Sequence, residues 1–279
     1  MRNPSRRRRL KHGQGLHIEQ RSRAFRDEYV ATTPRWYRGE LHLAFTLIFT
    51  GGVFAYCLWR LDHPTLAEWL AIVPMLLFGN WAEWAAHRYL LHRPTRWFKA
   101  VYKRHVGVHH LFFAHNTLEY RGHNHWRALL FPPFAPVLFV GTALLPALLL
   151  GHFWSRNVGY IVVLTMAGYY LMYEGLHTLS HVVDSRVLDA LPLVNTVRRM
   201  HVIHHHPELM GTRNFNLTFP ICDALFGTSD LDKGLFGTLF NGMSHAAMRS
   251  EDRRRMFGDD SSTEGARSGK QSADAAASR

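Results

Sequence analysis

Twenty histidines stand in this 279-residue chain, and half of them fall into four short blocks. His87 and His92 flank four residues. His105 comes shortly before the doublet His109-His110, His177 and His181 form the third block, and His201, His204 and His205 the fourth. Imidazole is a ligand suited to zinc, copper, iron and nickel. Positions three and four apart share a helix face, so His177 should point with His181, His105 with His109, and His201 with His204 and His205. Neighbours such as His109 and His110 diverge, which lets one block serve two metals. His87 and His92 are about 140° apart around a regular helix and converge only where it loosens, and Pro94 suggests that it ends close by. Ten ligands are too many for one closed four-coordinate zinc site. The Glu-x-x-His pairing of soluble di-iron bundles occurs only at Glu174–His177. The pattern therefore favours two metals in an almost all-histidine shell. Ligand histidines need partners that orient the ring. Glu83, one turn before His87, and Glu174 are the candidates, unless each is simply paired with nearby arginines. The isolated His12, His17, His42, His63, His152 and His245 read as surface or hydrogen-bonded core groups.

Four apolar stretches must position these blocks. They run over Leu43–Trp59, Leu66–Ala86, Ala128–Leu150 and Asn157–Tyr173, each near the roughly 20 residues needed to cross a hydrocarbon core. Pro74 interrupts the second, and Pro132, Pro133, Pro136 and Pro146 should kink the third or make it re-entrant. Short connections at Asp62-His63-Pro64 and Gly151–Arg156 join them in pairs. The expected fold is all-α and integral to the membrane, four transmembrane helices in two hairpins with a helical, histidine-rich cap. Both tight turns then share one face, and the N-terminal arm, the segment His87–Arg127 and everything after His177 share the other. That second face carries Arg88, Arg93, Arg96, Lys99, Lys103, Arg104, Arg121, Arg127, Arg198 and Arg199, so it is expected to be cytoplasmic, with both termini.

The net charge of +12 admits nucleic acid or an anionic membrane as partner. The run Arg6-Arg7-Arg8-Arg9 precedes the first apolar stretch, which favours the membrane over nucleic acid. The N-terminus does not resemble a cleavable signal peptide. Cys57 and Cys222 are the only cysteines, which excludes a disulfide framework and a cysteine-rich zinc site. The chain divides into a basic arm over 1–38, a membrane domain over 39–248, and a small, polar tail over 249–279 expected to be disordered.

The four blocks resemble the histidine boxes of the fatty acid hydroxylase and sterol desaturase superfamily of membrane di-iron enzymes. His87-x4-His92, His105-x3-His109-His110, His177-x3-His181 and His201-x2-His204-His205 follow that family's order, and the resemblance covers about residues 75 to 230. Asn214-Phe215-Asn216-Leu217-Thr218, then Asp223 and Phe226-Gly227-Thr228, look like its closing segment. The resemblance implies that the ten histidines bind two iron ions, with Asn214 and Asp223 supporting them. It further implies molecular oxygen, an apolar lipid substrate such as a fatty acyl chain or sterol, and hydroxylation or desaturation. A separate electron-donor protein, ferredoxin- or cytochrome b5-like, follows from the absence of a fused His-Pro-Gly-Gly heme motif. One departure is Val106-Gly107-Val108, three residues where fatty acid 2-hydroxylases usually have two. His115, His123, His125 and His206 lie outside the boxes and could support the site or substitute within it. A di-zinc lipid hydrolase on the same scaffold and a membrane metal transporter or sensor are the alternatives, although a transporter would hold its ligands near the bilayer midplane.

Overall fold

The computed structural model describes residues 4–258, with side chains from residue 17 onward. The described residues form helices and no strand, apart from a single bridge between Leu231 and Met248. Along the chain these are α1 (Pro4–Ala31), α2 (Gly39–Trp59), α3 (Leu66–Trp69), α4 (Ile72–Ala86), α5 (Lys99–Arg104), α6 (His110–Phe112), α7 (Trp126–Leu129), α8 (Ala135–Gly141), α9 (Leu144–Phe153) and α10 (Arg156–Ser180). Shorter helices follow: α11 (Arg186–Ala190), α12 (Val194–His204), α13 (Ile221–Leu225), α14 (Gly234–Leu239) and α15 (Ser250–Phe257).

α10 is the central pillar, packed on α2, α4, α9 and α12. Ala71, Met75, Ala143, Ala147, Ile161 and Met166 form the apolar core at one end. There the two hairpin turns are tied together. Thr65 and Glu68 make a reciprocal capping box at the start of α3, and Ser155, the N-cap of α10, donates its hydroxyl to Glu68. Asn157 bonds both the N–H and the carbonyl of Asp62, at 3.0 and 2.8 Å. The turns therefore share one end of the bundle, as hairpin geometry requires, and the histidine blocks occupy the other.

Two of the four expected spans, Gly39–Trp59 and Ala135–Phe153, are long and apolar enough to cross a membrane. The second stretch is divided into α3 and α4. Pro74 has no N–H to give the carbonyl of Leu70, and its ring crowds that carbonyl, so the chain turns at Leu70-Ala71 before α4 begins. The third starts later than expected, at Ala135. Pro132 and Pro133 drive the residues before them out of helical geometry, and Leu130 is extended with ψ 148°. The fourth, α10, has the length at 25 residues but carries Arg156, Asn157, four tyrosines and Glu174.

Both ends of the chain join the fold further than the sequence suggests. In the second half of α1, Ser22 and Arg26 are buried against the loop after α6. Residues 250–257, placed in the expected tail, form α15, whose buried Asp252 accepts from Arg213 Nε at 2.7 Å. A two-charge anchor of this kind orders a segment that composition alone assigns to disorder. The rest of that tail, 259–279, and the first three residues lie outside the described residues.

Candidate metal centre

Where α4 ends, the chain continues as one π-helical turn, His87–Leu91. The His92 N–H donates to the His87 carbonyl at 3.1 Å, five residues back rather than four. The wider turn brings positions i and i+5 onto one face, and the Nε2 atoms of His87 and His92 stand 3.2 Å apart. The same device recurs at His105–His109, where the His110 N–H donates to the His105 carbonyl. His105 consequently faces His110, with Nε2 atoms 3.1 Å apart, and not His109 as the α-helical spacing suggests. The extra residue in Val106-Gly107-Val108 is what the π turn absorbs.

The turns sort the histidines into two buried clusters. His87, His92, His105, His110 and His204 form the first, and His109, His177, His181 and His201 the second, with all ligand atoms of a cluster within 4.8 Å of one another. Nε2–Nε2 distances are 2.9 Å for His87–His105, 3.0 Å for His92–His204, 3.2 Å for His109–His177 and 2.9 Å for His181–His201. The doublet His109-His110 is split between the clusters. So are His201 and His204, which the sequence placed on one face. The tenth histidine, His205, joins neither group. Its ring stacks on His110 at 4.2 Å and meets His201 edge-on at 4.4 Å. Its Nε2 is buried with no hydrogen-bond partner.

Backbone carbonyls set the rings. His87 Nδ1 donates to Phe215 O (2.5 Å), His204 Nδ1 to Arg213 O (2.8 Å), His181 Nδ1 to Leu118 O (2.9 Å), His109 Nδ1 to Ala128 O (3.1 Å), and His205 Nδ1 to Phe113 O. A carbonyl can only accept, so each of these Nδ1 atoms carries the proton. In the four clustered rings, Nε2 is then left as a lone pair aimed inward. Burial is the main reason that His87, His105, His109, His110, His201 and His205 resist protonation far below the ordinary histidine range, reinforced by their neighbours. Burial alone brings His204 down to about 4. Neutral imidazole is the ligand form.

In the close pairs that His87 and His109 make at 2.9–3.2 Å, one ring is fixed as the lone-pair tautomer, so the partner nitrogen either donates a proton to it or shares a cation with it. Nitrogen ligands at about 2.1 Å from a metal and at right angles to one another stand about 3.0 Å apart. Both clusters match that spacing, so the residues present fit two metal ions.

None of the four polar residues expected to support the ligands bonds a histidine directly. The Glu83 carboxylate accepts from the N–H groups of Leu217 and Thr218 and from the hydroxyls of Thr218 and Tyr169. Glu174 accepts from Tyr170 OH at 2.7 Å. Asn214, at φ 56°, ties Met200 O to the Asp230 carboxylate. Asp223 accepts from Phe215 N, Asn216 N and Thr228 Oγ1 at 3.0, 2.7 and 2.6 Å, and burial pushes its carboxyl up to about 6. Glu83 and Asp223 thus shape the segment that presents the Phe215 carbonyl. His115 and His206 pack ring against ring at 4.7 Å, tilted by 57°, outside both clusters. His125 accepts from Arg121 N at 3.2 Å, and His123 lies in the same short 3-10 turn, again outside.

A family model described as fatty acid hydroxylase matches residues 71–228, more than half of the chain and inclusive of all ten histidines. The chain belongs to the fatty acid hydroxylase family. No curated protein and no solved structure matches it.

Proposed function

We propose that the chain is a multi-pass membrane enzyme that hydroxylates or desaturates a lipid, using two iron ions, molecular oxygen and electrons from a separate redox protein. The observation that carries this reading is the pair of clusters whose Nε2 atoms converge at 2.9–3.2 Å in a family of lipid hydroxylases. Bound iron would supply activation of oxygen toward an unactivated C–H bond. The chain's own contribution is geometric and electrostatic. His87, His92, His105, His110 and His204 would hold one ion, and His109, His177, His181 and His201 the other, with His205 close to both. Backbone carbonyls fix the tautomers of His87, His109, His181, His204 and His205, and the buried surroundings keep bulk water from the reacting centre.

The membrane assignment extends to all four apolar segments. Besides the two long apolar helices, α4 exposes Val73, Leu77 and Trp81, and α10 runs among these helices, packed on α2, α4 and α9. Surface that apolar belongs against lipid. We assign the substrate tail to an apolar groove of about 330 Å³ between α2, α4 and α10, lined in part by Phe54, Leu58, Ile72, Leu76 and Met172. Its α10 wall leads toward His177. The cap and both termini are assigned to the cytoplasmic side on the basic residues around the histidines.

The test is lipid mass spectrometry of cells expressing the wild type, His177→Ala or His204→Ala. The wild type should add one oxygen or remove two hydrogens from a cellular lipid, and both variants should abolish that change while remaining in the membrane. Unchanged turnover in both variants would exclude the assignment. Stoichiometric zinc in the purified protein, with ester hydrolysis under nitrogen, would replace it with a hydrolase.

A further inference from the structure

We propose that the two clusters are braced by separate buried clamps, Glu83 for the first and Arg26 for the second, so that one metal site can be weakened without the other. The inference rests on reading the clusters as metal sites, and it concerns residues that touch no ligand nitrogen.

The first clamp is a face of α4. Asn80, Glu83 and His87 recur every three or four residues and meet the segment 213–222. The enclosed Glu83 carboxylate collects two backbone N–H groups and two hydroxyls. One turn earlier, Asn80 donates to Phe219 O at 2.6 Å and accepts from Cys222 N at 3.1 Å. The segment pinned in this way carries the Phe215 and Arg213 carbonyls that orient His87 and His204. Four donors converging on one group require an acceptor at both oxygens, which a carboxylate is and an amide is not.

The second clamp comes from α1. The buried Arg26 guanidinium donates to Phe112 O at 2.8 and 3.3 Å and to Thr117 O. Ser22 bonds Thr117 Oγ1 at 2.7 Å. Leu118, the next residue after Thr117, presents its carbonyl to His181 of the second cluster, and Phe113, within the pinned loop, presents its own to His205 beside both clusters. The two clamps have no residue in common, and each acts on the histidine rings through a different stretch of backbone. Both are therefore positioning residues. Losing the partner that orients a ligand histidine costs roughly 10- to 100-fold in metal affinity.

The experiment uses full-length protein in detergent and counts ferrous iron retained per chain under nitrogen. His177→Ala leaves the first cluster intact, and His87→Ala leaves the second. Glu83→Gln should weaken iron binding at least tenfold in the His177→Ala protein and leave the His87→Ala protein unchanged. Arg26→Met, which keeps the apolar stem, should do the reverse. Thr218→Val removes a single hydroxyl from the first clamp and should follow Glu83→Gln, and circular dichroism checks that each variant keeps its helices. Folded variants that weaken both sites equally, or neither, would overturn the inference. Wild-type protein that takes up no iron would instead overturn the reading of the site.

Discussion

His204 illustrates what a single side chain contributes. Its Nδ1–H is spent on the Arg213 carbonyl, and burial lowers its pKa to about 4. In the unfolded chain the same ring titrates near 6.5. Between those values the unfolded state binds a proton that the folded state refuses, so acid favours unfolding. The metal-free protein should hold its Tm above about pH 7.5 and lose it steadily as pH falls from about 6.5 toward 4. His204 alone accounts for on the order of 3 kcal/mol. Thermal melts on either side of that window check this, and a Tm that rises on acidification would contradict it. At this scale the sequence was half legible. Histidine has few reasons to cluster, so the ten stood out. The carbonyls of Leu118, Ala128, Arg213 and Phe215 that aim the rings belong to the backbone every residue shares, and no residue type marks them.

Helices decide which histidines meet. The spacing rule holds for His177 and His181, which lie four apart at the end of α10 and share a cluster. It fails for His105 and His109, because a π turn shifts the shared face by one residue. The five-residue gap of His87 and His92 announced a loosened helix. The gap between His105 and His110 is the same, but His109 supplied an easier partner four away and hid it. If a π turn is an inserted residue, removing one should restore a regular helix with His105 and His110 four apart. Gly107 is exposed, and a Cβ added there would meet nothing within 4 Å. Deleting it should leave two metals per chain and a nearly unchanged Tm. Metal analysis showing one ion or none would sink this account of the turn. The α9–α10 hairpin makes a second test. A Cβ on Gly159 would sit 2.8 Å from Ala147 O and 3.2 Å from Gly151 Cα, so Gly159→Leu must pry the helices apart. It should cost about 1–3 kcal/mol, read as a lower Tm in detergent, while Gly175→Ala, which meets open space, should not.

For the molecule as a whole, the sequence disclosed two hairpins and one histidine-bearing end, because turn lengths and apolar runs are written locally. It did not disclose that α1 and α15 are tied into the cap, since a buried Arg26 or Asp252 looks like any surface charge until its partner is known. Ligand binding to the folded state alone stabilises it by mass action, about 4 kcal/mol at a thousandfold excess over Kd. Stripping metal with a chelator should therefore lower the Tm by several degrees, and ferrous iron should restore it. Scanning calorimetry before and after chelation measures the effect, and an unchanged Tm would mean that the clusters hold no ion in the purified protein.

The interleaving of the two clusters along the chain has a consequence for biosynthesis. The first draws on residues 87 to 204 and the second on 109 to 201. Neither is complete until nearly the whole family domain has left the ribosome. A nascent chain halted before α12 owns seven of the nine clustered histidines and lacks His201 and His204, one from each site. Completion of either site therefore waits on α12, which brings the last ligand to both at once.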